Sequence, residues 1–145
     1  MTDTEDNPEL RGEREGKGVY VLRNGRGGEV RVGVAGTPDS FTPGELLQMA
    51  VATCAALSAD HVLGSRLGHD FEAALLMSAE GVGADDPGGA RLTHLASEVV
   101  TDLSGLAPER RQALVTRAEG AIERICAVGR TVGHGATHTT TITHG

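Results

Sequence analysis

Aromatic side chains are nearly absent from this chain: Tyr20, Phe41 and Phe71 are the only ones, and there is no tryptophan. A core without rings must be assembled from Leu, Val and Ala, which bury less area apiece. The length of 145 residues suits one domain with one core, and so lean a core favours an oligomer that extends it. Positive charge is also scarce. The chain has 13 Lys and Arg against 20 Asp and Glu, a net charge of −7. That balance speaks against nucleic acid as a partner, which needs a basic face. The N-terminus lacks the charged-then-apolar pattern of a signal peptide. The apolar run Met49–Leu57 is far shorter than the roughly 20 residues of a membrane span. These absences lead to the expectation of a cytoplasmic protein with neither a nucleic-acid nor a membrane partner. Cysteine is sparse too: Cys54 and Cys126 are the only two. In a reducing compartment such a pair is more readily inert, metal-bound or catalytic than a structural staple.

What is present reads as alternating short strands and two helices. Residues 1–12 are polar and mostly acidic and read as a flexible tail, ahead of a single domain over 13–145. Lys17–Arg23 and Glu29–Val34 form a predicted hairpin around the Asn24-Gly25 turn signal, with Val30, Val32 and Val34 on one side. Thr42-Pro43-Gly44-Glu45 is a helix start. Thr42 serves as N-cap, Pro43 fits the first helical position, and Glu45 completes a capping box. The helix is predicted to run to about Leu67 and to end at Gly68. Its middle is apolar on nearly every side, so it is expected to be covered on more than one face. Phe71–Met77 and Leu92–Asp102 are strand candidates around a turn at Gly81–Gly89. Pro108 opens a second helix whose apolar stripe is Leu114, Ala118, Ala121/Ile122 and Ile125, with Gly129, Gly133 and Gly135 expected to break it. Thr137–Thr143, rich in threonine, reads as a last strand. The order β-β-α-β-β-α-β is dominated by hairpins and shows no repeated βα unit, so the predicted class is α+β.

Each cysteine falls on its own helix. Cys54 sits in the apolar middle of the first, and a buried helical cysteine is ordinarily a small core residue. Cys126 ends the second between Arg124 and Arg130, whose charge favours a thiolate if the side chains turn towards it. The two thiols are therefore either two small hydrophobes or a redox pair. His134 and His138 with Cys126 offer a metal-binding reading, but the paired short-spaced ligands of a strong site are missing. Surface or capping roles are the default for His61, His69, His94, His134, His138 and His144. Gly25-x-Gly27-Gly28 is a hairpin turn and not a phosphate cradle, because no helix follows it.

The string Phe-Thr-Pro-Gly-Glu-Leu-Leu-Gln-Met-Ala-Val-Ala-Thr-Cys54 resembles the central-helix motif of the OsmC/Ohr family, the osmotically induced protein C and organic hydroperoxide resistance proteins. Ala118-Glu119 and Arg124-Ile125-Cys126 resemble the segment that holds the second cysteine of that family, and the element order matches across residues 17–143. The resemblance implies antiparallel sheets around two long helices in an intertwined homodimer. It implies a thiol peroxidase that reduces organic hydroperoxides, with hydrogen peroxide as a secondary candidate substrate, without a metal or organic cofactor. Cys54 would attack the peroxide and become a sulfenic acid, Cys126 would resolve it as a disulfide, and an external dithiol would reduce that disulfide. On this view Cys54 lies on the buried helix and Cys126 at a looser helix end that a reductant can reach. The cation that activates the first thiol would be Arg14, since Arg14-Glu15-Gly16 resembles the family's Arg-Asp/Glu-Gly segment, with Lys17 as the fallback. The family's arginine-holding glutamate directly follows the proline, where this chain has Gly44. Glu45 stands one place later, a turn of about 100° around the helix, and either holds the arginine or only caps. Ala127 likewise stands where the family often has proline. These departures keep open a non-enzymatic alternative, a small-ligand-binding or redox-sensing protein on the same dimeric scaffold. A metal-binding protein using Cys126 and the histidines is the third reading.

Overall fold

The computed structural model describes residues 9–145. The elements are β1 (Arg11–Gly16), β2 (Val19–Arg23), β3 (Glu29–Gly33), α1 (Pro43–Leu67), β4 (Ala73–Val82), β5 (Arg91–Thr101), α2 (Pro108–Ile125) and α3 (Ala127–Gly133). The chain divides into two compact units, Met1–Leu47 and Gln48–Gly145, with the division falling inside α1. The class is α+β, as expected.

The N-terminal unit is an antiparallel sheet in the order β1-β2-β3. Asn24 builds the β2–β3 turn. Its Oδ1 accepts hydrogen bonds from the backbone N–H groups of Arg26 and Gly28, each at 2.9 Å. The register aligns Arg14 with Tyr20 and Val32, and Gly12 with Leu22 and Val30. Because side chains alternate across a strand, these residues make an apolar side on which Arg14 is the one charge among the paired positions. The opposite side carries the buried Val21 among ion pairs: Arg31 forks onto Glu15 at 3.1 Å through two nitrogens, and Arg23 meets Glu29 at 2.9 Å. The expected tail covers residues 1–12. Residues 1–8 lie outside the described residues, and Arg11 and Gly12 open β1. Arg-Gly-Glu-Arg-Glu-Gly carries no apolar alternation, so its strand character comes from pairing with β2 and was invisible in its composition.

The start of α1 is the predicted capping box. Thr42 N–H donates to Glu45 Oε1 at 2.8 Å, and Glu45 N–H donates to Thr42 Oγ1 at 3.1 Å. At the other end Gly68 takes a positive φ of 101°, and its N–H bonds back to the Gly64 carbonyl at 2.9 Å, closing the last turn. α1 as a whole has 25 residues, and an 18-residue window of it reaches a mean hydropathy of 1.4. By length and composition alone it could cross a membrane, so counting only Met49–Leu57 understated the apolar run.

In the C-terminal unit, β4 and β5 pair antiparallel as a two-stranded ribbon. The core is small. Ala59 and Leu63 of α1 pack with Leu114 and Ala118 of α2, flanked by half-buried Val62, Phe71, Val99 and Ile122. Alanine at 52, 55 and 59 gives α1 a narrow buried stripe, and small side chains at a helix contact permit close approach. Only 17% of the apolar window of α1 is buried, so the expectation of a helix covered on several faces is not met within one chain.

Two further expectations fail here. Gly129 and Gly133 do not break the chain but belong to α3. Thr137–Thr143 forms no strand, and Ile142 is fully exposed. A strand exists only by pairing, and no described strand lies alongside this segment.

Candidate active site

The C-terminal unit brings the two cysteines together, and one residue makes this possible. Cys126 is at once the C-cap of α2 and the N-cap of α3. Its N–H closes α2 on the Ile122 carbonyl at 2.9 Å, and its carbonyl accepts the Arg130 N–H of α3 at 3.1 Å. With ψ at 89° it leaves the helical region and turns the chain. The first N–H groups of a helix have no partner inside it, and α3 has no side-chain cap. Those of Ala127 and Val128 hydrogen-bond to the sulfur of Cys54 instead.

This environment separates the two thiols. The Cys54 pKa is lowered, first by the N–H of Val128. Burial opposes it, while the Cys126 thiol, the Ser58 hydroxyl and the Ala127 N–H assist. The Cys126 pKa is raised, first by burial. The Gly129 N–H pulls it down, the neighbouring Cys54 pushes it up, and Arg130 lowers it as the last of the named causes. Hydrogen bonding to the anion favours ionisation, and burial in a poorly solvated place disfavours it. The Cys126 thiol therefore acts as donor and the Cys54 sulfur as acceptor, so the two thiols lie within hydrogen-bonding reach of each other. Arginine charge acts on Cys126 in the expected direction, through Arg130, but burial outweighs it. The expected exposure is reversed: Cys126 is buried at 6% and Cys54 is half-buried.

Ser58 lies one turn beyond Cys54. Its hydroxyl donates to the Cys54 carbonyl at 2.7 Å and also reaches the Cys54 sulfur. A hydroxyl has one proton to give, and only when it is given to the sulfur does it stabilise a thiolate. A cavity of about 530 Å³ lies between α1, β5 and α2, lined by Ala55, Ala59, Val99, Ala118, Glu119 and Ile122 but by neither cysteine. Its volume is that of a small-molecule site. Ala55 directly follows Cys54, and Ile122 is one turn before Cys126.

Arg14 is exposed on β1 and Glu45 on the first turn of α1, both in the N-terminal unit. The Glu45 carboxylate is engaged in the capping box. Among the described residues no group of three or more His, Cys, Asp or Glu could hold a metal ion. Sequence reasoning missed Ser58, Ala127, Val128 and Gly129. Ser58 could have been found from its spacing of four residues from Cys54. The backbone donors left no signal in residue type.

A family model described as OsmC-like protein matches residues 36–141, and the chain belongs to that family. Two uncharacterised proteins, from Mycobacterium bovis and Mycobacterium tuberculosis, are each 38% identical over 125 residues, covering 86% of this chain and 88% of theirs. Among solved structures the fold is similar to a hypothetical protein from Aquifex aeolicus, with a TM-score of 0.60, 16% identity and 88% of both chains covered. It is also similar to an OsmC-like protein from Mycoplasma pneumoniae, with a TM-score of 0.59, 14% identity and 88% of both chains covered. The organic hydroperoxide resistance protein OhrB of Bacillus subtilis matches with a TM-score of 0.52 and 16% identity, over 87% of this chain and 90% of that one. The antiparallel sheets and helices seen here are those of OsmC/Ohr proteins.

Proposed function

We propose that this protein is a cysteine-based peroxidase that reduces organic hydroperoxides. The observation that carries the reading is the thiol pair: two sulfurs within hydrogen-bonding reach, one with its pKa lowered first by an amide of α3 and the other with its pKa raised first by burial. The Cys54 thiolate attacks the terminal oxygen of the peroxide. An S–O bond forms, the O–O bond breaks, and the alkoxide leaves as alcohol after taking a proton. Cys126 then attacks the sulfur of the Cys54 sulfenic acid, the S–O bond breaks, and water departs with the remaining proton. An external dithiol returns two electrons by thiol–disulfide exchange. The apolar cavity suits an alkyl substituent.

Arg14 is the proposed cation for the peroxide-bound state. It is the one charge among the paired positions on the apolar side of its sheet, and so the counter-charge those positions offer an anion. A homodimer is part of the same reading. Leu57, Leu76 and Ile125 are each more than half exposed, and a second copy would cover them. A protein cover suits α1 better than lipid, because Asp60 and His61 lie within it and ionisable groups are costly in a bilayer. The proposed location is the cytoplasm, where thiols are kept reduced.

The test is peroxide consumption by single variants. Cys54→Ser abolishes consumption and sulfenic-acid trapping, whereas Cys126→Ser consumes about one equivalent and stalls. Intact thiols after excess organic hydroperoxide overturn the reading. That result would favour the second one, a small-ligand-binding or redox-sensing protein, which Gly44 in place of the family glutamate and the apolar cavity both support.

A further inference from the structure

Gly129 is a glycine in an ordinary right-handed helix. It lies inside α3, and its φ is not among the positive ones. No backbone strain asks for glycine there, and alanine would be the better helix former. What distinguishes the position is its neighbour: a Cβ built on Gly129 would stand 3.1 Å from Cys126 Sγ and 3.8 Å from Cys126 Cβ. Carbon and sulfur do not settle that close, so one of them would have to give way. Gly133, in the same helix, would meet nothing within 4 Å.

We infer that Gly129 is a positioning residue for the second sulfur: its missing side chain leaves the space that lets Cys126 Sγ lie over the first turn of α3, facing Cys54. The inference deepens the peroxidase reading and takes from it one element, that the two sulfurs bridge. A methyl group at 129 acts unequally on the two redox states. A free Cys126 thiol escapes the clash by rotating about χ1. A sulfur bonded to Cys54 cannot, because the bridge geometry is narrow. The added methyl therefore disfavours the disulfide. It also leaves the reduced thiol turned away from Cys54, so resolution slows. The Gly129 N–H, which supports the Cys126 thiolate, is retained in the variant, and this isolates the steric effect.

The experiment equilibrates wild type, Gly129→Ala and Gly133→Ala in dithiothreitol redox buffers without peroxide, and measures the 54–126 disulfide by mass spectrometry. Gly129→Ala is expected to lower the equilibrium constant for the disulfide about tenfold, roughly 30 mV towards a more oxidising potential for a two-electron couple. Gly133→Ala is expected to match wild type. In single-turnover oxidation, Gly129→Ala is expected to accumulate a sulfenic acid that wild type resolves. A Gly129→Ala protein with the potential and resolution rate of wild type overturns the inference. Folding is controlled by melting each variant with and without Cys126→Ala. Any loss of melting temperature caused by Gly129→Ala should vanish when the sulfur is absent, and an equal loss in both backgrounds overturns the inference. A wild type that forms no 54–126 disulfide in the buffers overturns both proposals. A wild type that forms the disulfide but consumes no peroxide overturns only the peroxidase, and the potentials still decide the role of Gly129.

Discussion

Cys54 owes its acidity to short-range dipoles, and such effects can be removed one at a time. Of its named donors, only Ser58 and Cys126 use a side chain. Ser58→Ala deletes the hydroxyl and leaves the α3 amides in place. Alkylation of Cys54 at neutral pH is expected to slow by about threefold, because the thiolate fraction governs the rate. The pH dependence follows from the direction of the shifts. The Cys54 pKa lies below the ordinary thiol value, so its alkylation persists below that value and is lost only as pH falls through the lowered pKa. The Cys126 pKa lies above it, so Cys126 reacts only at higher pH. Residue-resolved alkylation across pH checks both. A Cys126 more reactive than Cys54 at neutral pH would contradict the assignment. Both cysteines were legible in the sequence as unusual residues on separate helices. Which of them ionises was not legible, because Val128 and Ala127 act through backbone N–H groups that every residue but proline carries.

At the scale of elements, helix ends were readable and lone strands were not. Thr42, Pro43, Glu45 and Gly68 fixed both ends of α1, because caps are local chemistry. β1 and Thr137–Thr143 went wrong in opposite directions because strand formation is decided by a partner elsewhere in the chain. α3 was missed because its glycines read as breaks. The capping box also makes the role of Glu45 testable. Glutamine at the same place retains the reciprocal bonds of the box, so Glu45→Gln is expected to leave stability nearly unchanged, and Thr42→Ala to cost about 1 kcal/mol. Denaturant titration measures both. If Glu45 only caps, peroxide turnover by Glu45→Gln equals that of wild type. A large loss of turnover without loss of stability would give Glu45 the arginine-holding role instead.

At the scale of the whole molecule, the buried set is too small for its chain. The core consists chiefly of alanines with Val21, Leu63, Leu114 and Cys126, whereas α1 leaves most of its apolar window uncovered. The dimer was expected from the shortage of aromatics, and uncovered apolar surface of this extent supports it. A two-stranded ribbon such as β4–β5 is marginal alone, and the threonine-rich C-terminal segment has strand composition without a strand to join. Sedimentation at micromolar concentration is expected to give a dimer. Deleting the residues after Ala136 is expected to weaken the dimer without lowering the helix content of the remainder. A stable full-length monomer would contradict the proposed assembly.

The position of Cys126 at the joint between α2 and α3 has a thermodynamic corollary. A bond from there to Cys54 would close a ring of roughly seventy residues that includes the β4–β5 ribbon and α2. By chain entropy alone such a ring restricts the unfolded ensemble by about 4 kcal/mol. The resting and spent forms of the protein would then differ in heat resistance, and the oxidised form would melt roughly 10 °C higher. Each catalytic round would tighten and loosen the fold, and a thermal melt would report how much of a sample had turned over.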